Sequence, residues 1–215
     1  MALLHRAELR PSKMELLSGW LPTRPWFDGA PAMLRRVGSY RFDDPADEVG
    51  VETFLVRTGD GTILHVPLTY RGAPHPAGER GSIATMEHSV LGRRWVYDAC
   101  ADPVYASAVV NTILTGGTQA QESVQIQGRL ERGAVDVAVR GSGASRTQVD
   151  LTGALTSTDG PDTTTIRTEV WELLVRRVLS GDGAAPVTDH LTSQTLTGTR
   201  SGRRAPVVLV LARPC

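Results

Sequence analysis

Apolar positions recur along this chain at two different spacings, and the change from one to the other organises it. Near the start, Met14, Leu16 and Leu17 follow Ser12-Lys13-Met14-Glu15. Ser12 can accept from the third helical N–H while Glu15 reaches back, so a capped helix is predicted with Met14 and Leu17, and Leu16 beside them, facing inward. Pro22 and Pro25 end it and predict an extended path through Trp20–Phe27 (WLPTRPWF). From Val49 the spacing becomes two, with Val51, Thr53 and Leu55 on one face and Glu52, Phe54 and Val56 on the other, which is a strand. Gly59-Asp60-Gly61 supplies a tight reversal, and Leu64, Val66, Leu68 and Tyr70 alternate through the return strand. Pro67 removes a ladder donor and predicts an edge position or a neighbouring bulge.

After the loop RGAPHPAGERG, further strands are predicted from Ser82 to Leu91 and around Trp95–Tyr97. Asp102-Pro103 is a helix start, since Asp caps free N–H groups and Pro suits the first helical position. Val104, Ala108, Val109 and Ile113 give its inward stripe, and Gly116-Gly117 stops it. Beyond Gly117, Val124, Ile126 and Leu130, then Val135, Val137 and Val139, then Val149, Leu151 and Leu155 alternate as strands. A turn at Asp159–Asp162 leads through Ile166, Thr168 and Val170 into the apolar run WELLVRRVL, and Pro206–Leu211 reads as a strand buried on both faces. The predicted class is α+β. A helix-on-antiparallel-sheet unit spans 1–117, and a second, mainly antiparallel sheet spans 118–215; the alternative is one continuous β-rich domain with two peripheral helices.

Composition narrows the function classes. A net charge of zero gives no field to steer the protein to nucleic acid or an anionic membrane, so neither partner is expected. No stretch approaches the ~20 apolar residues that cross a bilayer. His5, Arg6, Glu8 and Arg10 interrupt what would be the core of a secretory signal, so a cytoplasmic location is expected. Cys100 and Cys215 are too few for a disulfide framework and read as reduced thiols. Lys13 is the one lysine, and every other basic side chain apart from histidine is arginine.

Candidate chemistry is sparse. His65, His75 and His88 match no ligand spacing, so no metal is expected. In Met86-Glu87-His88-Ser89, strand neighbours point to opposite faces, which argues against a triad. Gly116-Gly117 and Gly141-Ser142-Gly143 open no helix and lack a phosphate-binding lysine, so turns explain both. Trp20, Trp26 and Phe27 offer either a platform for sugar rings or anchors holding a loop on the core. The pairs Arg93-Arg94, Arg176-Arg177 and Arg203-Arg204 read as solvated strand faces.

Three segments, in order, resemble the N-terminal cap of actinobacterial maltokinases: WLPTRPWF at 20–27, ETFLVRTGDGTILHVPLTYR at 52–71, and Tyr97-Asp98-Ala99 with Asp102-Pro103 and the following helix. They cover about the first half of the chain. The resemblance implies a helix on an antiparallel sheet with cystatin-like topology, resting on the small lobe of a kinase-like fold whose enzymes phosphorylate maltose with ATP, beside trehalose and α-glucan metabolism. A fainter likeness extends to Leu173–Arg177, with Leu173 where the ATP-contacting lysine would sit, and to Pro206–Ala212 as the strand leading to the hinge.

Phosphoryl transfer needs a lysine at the phosphates, metal-binding carboxylates and an aspartate near the acceptor. The sequence to Cys215 shows no such catalytic loop, so no catalytic residue, cofactor or kinase activity is expected of it. The resemblance implies instead an accessory protein docking through Trp20, Arg24, Trp26, Phe27 and the strand containing Pro67 onto an enzyme of trehalose, maltose 1-phosphate or α-glucan metabolism. The alternative is a sugar- or nucleotide-binding module without catalysis.

Overall fold

The computed structural model describes residues 2–4, 8–126, 129–133, 135–151, 153–179, 193–202 and 205–215. Strands β1 (Ala2–Leu4) and β2 (Leu9–Arg10) precede helix α1 (Lys13–Trp20). The capping box forms as expected: Glu15 N donates to Ser12 Oγ at 3.3 Å and Ser12 N to Glu15 Oε2 at 2.8 Å. Leu16, Leu17 and Trp20 are buried. Pro22 does not extend the chain. It lies in a 3₁₀ turn over Leu21–Thr23, where its missing N–H costs nothing, and extended geometry resumes only at Arg24.

The next strands are β3 (Arg35–Phe42), β4 (Val49–Arg57), β5 (Ile63–Arg71), β6 (Ser82–His88) and β7 (Gly92–Asp98), followed by helix α2 (Pro103–Thr115). Strand β3 was not expected from the sequence, because Gly38 and Ser39 dilute the alternation that buries Tyr40 and Phe42. These strands pair antiparallel in the order β2-β6-β7-β5-β4-β3. Both faces of β4 are used: Phe54 and Val56 pack under α1 and the 20–27 segment, while Val51 and Leu55 join a second core shared with α2.

Pro67 corrects the expectation of an edge. It is buried in β5, which pairs along its whole length with β4. On its other side β5 pairs with β7 at Leu68–Arg71, and Ile63–Leu64 pair with a short later strand. His65 N donates toward that side, to Arg177 O at 2.8 Å, so by strand alternation a donor at residue 67 would point into the gap between the two partners. Proline is tolerated where no donor is required.

The remaining strands are β8 (Glu122–Ile126), β9 (Arg129–Arg132), β10 (Val137–Gly141), β11 (Thr156–Asp159), β12 (Thr163–Arg167), β13 (Trp171–Arg176), β14 (Val178–Leu179), β15 (Gln194–Arg200) and β16 (Val207–Pro214). Strands β1, β8 and β9 form a small sheet of their own, with β1 and β8 parallel. The second large sheet is antiparallel in the order β10-β15-β16-β13-β12-β11. Its central β16 buries Leu209 through Ala212, as a two-face run should. Val149, Leu151 and Leu155 lie in irregular chain and not in strands; Asn111 ties this stretch to α2 through two 2.8 Å bonds to the backbone of Val149. Val170 is exposed in a turn.

Helix α2 joins the two large sheets. Its buried face, Tyr105, Ala106, Val109, Val110, Ile113 and Leu114, is wider than the predicted stripe because β4 lies on one side and β10 and β15 on another. At its end, Gly143 N and Ser145 N each donate at 2.8 Å, to Ile113 O and Leu114 O, satisfying carbonyls that a helix C-terminus leaves free. A Cβ on Gly141 or Gly143 would stand 2.0 or 2.1 Å from a helix carbonyl oxygen, so these glycines permit close approach and do not form a phosphate loop. The run 171–179 is two elements. Strand β13 belongs to the second large sheet and β14 to the first, and Arg177 sits between them.

Candidate functional site

The WLPTRPWF segment is folded onto the first large sheet and reaches the second through Arg24. Trp20 meets Trp26 edge to face at 5.8 Å, and Trp26 keeps only 2% of its surface exposed. Arg24 lies 5.3 Å from the Trp20 ring and reaches Asp159 Oδ2 at 3.5 Å. The Arg177 guanidinium covers Trp26 at 4.8 Å. The indole faces expected to stack on a sugar or meet a partner are therefore turned to groups of the same molecule, and Phe27 is half-buried on the same core.

Arg177 departs furthest from its expected place on a solvated strand face. It is wholly buried. Its Nη2 donates to both Asp98 oxygens at 2.7 and 2.6 Å, its Nε donates to Thr164 Oγ1 at 2.7 Å, and Thr164 donates onward to Asp159 at 2.6 Å. Burial works to lower its pKa, and the Asp98 carboxylate outweighs it, so the guanidinium stays charged. Beside it, burial pushes the Cys100 thiol well up, away from thiolate chemistry. Arg203-Arg204 lie outside the described residues, as do His5 and Arg6.

The histidines separate. His65 Nδ1 donates to Arg176 O at 2.9 Å, so its Nε2 accepts from the Tyr40 hydroxyl at 2.7 Å; burial pulls its pKa down to about 3. Burial also lowers His75, whose Nε2 is 3.9 Å from Asp102. Asp102 itself accepts from Arg71 at 2.7 and 2.8 Å, from Thr69 at 2.9 Å and from Val104 N at 3.0 Å, and so fixes the start of α2 to β5. Among the described residues no group of His, Cys, Asp and Glu is arranged to hold a metal ion, and no helix is long and apolar enough to cross a membrane.

Leu173 packs in the core, fully buried, opposite Ala212. Lys13 is paired with the buried Glu52 and lies 5.4 and 5.3 Å from the Phe54 and Tyr70 rings. One concavity stands out. A groove of about 810 Å³ runs along the outer side of α2, floored by Ser107, Ala108, Asn111 and Thr115 and walled by Asp43–Ala46 and Gln148–Asp150. Among the described residues that line it there is no lysine, arginine or histidine. Apolar periodicity does not announce this groove; the signal in the sequence is the row of small and hydroxyl side chains at helical spacing on the face of α2 away from the core.

Residues 20–102 match the family model of the maltokinase N-terminal cap domain. The matched segment begins at Trp20 and ends at Asp102, the residue that caps α2, so it holds every element from the WLP turn through β7. The α+β architecture of the described residues, with two large antiparallel sheets and two α-helices, agrees with the predicted class. A solved structure of a glucosamine kinase in complex with glucosamine, ADP and inorganic phosphate is similar at a TM-score of 0.48 and 14% identity, over 95% of this chain and 41% of the kinase chain. The chain thus spans about two-fifths of that kinase's length. No curated protein matches the chain.

Proposed function

We propose that this protein is a non-catalytic, cytoplasmic accessory module built on a maltokinase-type cap, and that it docks onto an enzyme of trehalose, maltose 1-phosphate or α-glucan metabolism. The observation that carries this reading is the placement of the lysine: Lys13 is engaged by Glu52 between two aromatic rings, and the strand position resembling the ATP-contacting lysine holds a fully buried Leu173. With Trp20 and Trp26 covered internally, the docking surface moves to the α2 groove.

Two measurements test it. Purified protein with ATP, Mg²⁺ and maltose, trehalose or glucosamine should release ADP no faster than a blank, and sugar-dependent release lost on substituting one residue of this chain would overturn the non-catalytic reading. Binding to purified enzymes of that metabolism should be lost in Ala108→Arg, which fills the groove floor; unchanged binding would remove the groove as the docking surface. A second reading, a sugar-binding module, is favoured by the groove's hydroxyl, amide and carboxylate lining, which includes no cationic side chain among the described residues, and by a size within the range of small-molecule sites. A thermal shift with maltooligosaccharides and none with nucleotides would select it.

A further inference from the structure

At the end of the molecule where the β4–β5 and β15–β16 hairpins turn, the two large sheets leave a slot of about 100 Å³. Its buried end is apolar, with Leu55, Val137, Leu179 and Leu209 all less than one-tenth exposed. Ile63, Val207 and small residues continue the walls, and the exposed Arg57 brings a positive charge to its solvent side.

Arg57 has Arg35 as its direct partner across the β3–β4 ladder, so the two side chains stand on one face. Like charges directly opposite destabilise a strand pair. Among the described residues neither guanidinium has a carboxylate partner. Two nearby carboxylates are held elsewhere: Asp136 by Arg36 at 2.8 Å, and Asp60 by Thr62 N and Oγ1, each at 3.1 Å, within its own turn.

An apolar gap in an otherwise close-packed interior, opening beside two arginines that repel one another, is complementary to a molecule with an aliphatic tail and an anionic head. We propose that this slot binds small amphipathic anions, the tail lying between Leu55 and Leu209 and the head held by Arg57 and Arg35. The volume is below the roughly 300 Å³ of drug-sized sites, so the slot takes a short chain and leaves the head outside. This inference is independent of the docking function.

Methyl NMR on the full chain tests it, with octanoate, octyl phosphate and neutral octyl β-glucoside as probes. Octanoate or octyl phosphate should shift the Leu55, Ile63, Val137 and Leu209 methyls saturably, and the tighter of the two identifies the head. The glucoside should bind about tenfold or more weakly, as should either anion to Arg57→Gln, consistent with loss of a charge-assisted hydrogen bond. Arg57 is exposed, so that variant keeps the fold, and Arg167→Gln on the second large sheet should leave binding unchanged. No saturable shift, equal affinity for the glucoside, or full affinity in Arg57→Gln would overturn the proposal.

Discussion

Two buried side chains carry opposite electrostatic consequences. Arg177 is kept charged by Asp98, so removing it leaves a carboxylate buried and unpaired. Arg177→Met should cost about 3–5 kcal/mol in urea unfolding, and adding Asp98→Asn should recover part of that loss. Equal stability of the single and double variants would contradict the pairing. His65 is held neutral, its pKa moved from 6.5 to about 3 by burial. The unfolded chain takes up a proton below its ordinary pKa while the folded chain does not. His65 therefore contributes stability that is complete above pH 6.5 and is lost as pH falls from there toward 3, by about 1.4 kcal/mol per pH unit. Urea midpoints of His65→Gln between pH 7 and 4.5 should show a shallower fall than wild type; parallel curves would refute this.

The helix ends separate local signals from tertiary ones. Ser12 is half-buried and caps only α1, so Ser12→Ala should cost about 1 kcal/mol. Asp102 is wholly buried and also holds Arg71 and Thr69, so Asp102→Ala should cost well more than a cap alone. Glycines divide in the same way. A Cβ on Gly19, inside α1, meets nothing within 4 Å, and Gly19→Ala should stabilise by about 0.5–1 kcal/mol. On Gly143 it would lie 2.1 Å from Leu114 O, and Gly143→Ala should destabilise. Thermal unfolding of these four variants checks the ordering.

At the scale of the molecule, α2 and Arg177 bind the cap segment to the second large sheet through one continuous core. The sequence alone marks both Gly116 and the 73–81 loop as cleavable. In the structure, Gly117 N donates to Thr112 O at 2.9 Å and Gly141 N to Gly117 O at 2.9 Å, whereas Arg80 is exposed. Limited trypsin digestion should cut after Arg80 with the fragments remaining associated, and a protease of broad specificity should spare 116–117. Early cleavage of native protein by a less selective protease at 116–117 would count against this packing.

Composition, alternation and caps determined most elements of this chain, because a capping box, an Asp-Pro start and a period of two act over a few residues and need no partner. The cap resemblance was legible for the same reason, its motifs being contiguous. Strand β3 was not legible, since Gly38 and Ser39 earn their place from contact with β10 and β4, not from local preference. Nor was the break at Arg177: WELLVRRVL reads as one apolar run, and only the approach of Asp98, 79 residues earlier, makes a buried guanidinium affordable there. The same holds for Pro67, whose strand is flanked on its second side by β7 and β14 in turn. Grooves and slots were invisible for a geometric reason. Local sequence fixes which face of an element is apolar, but the space left between faces depends on how elements far apart in the chain are brought together.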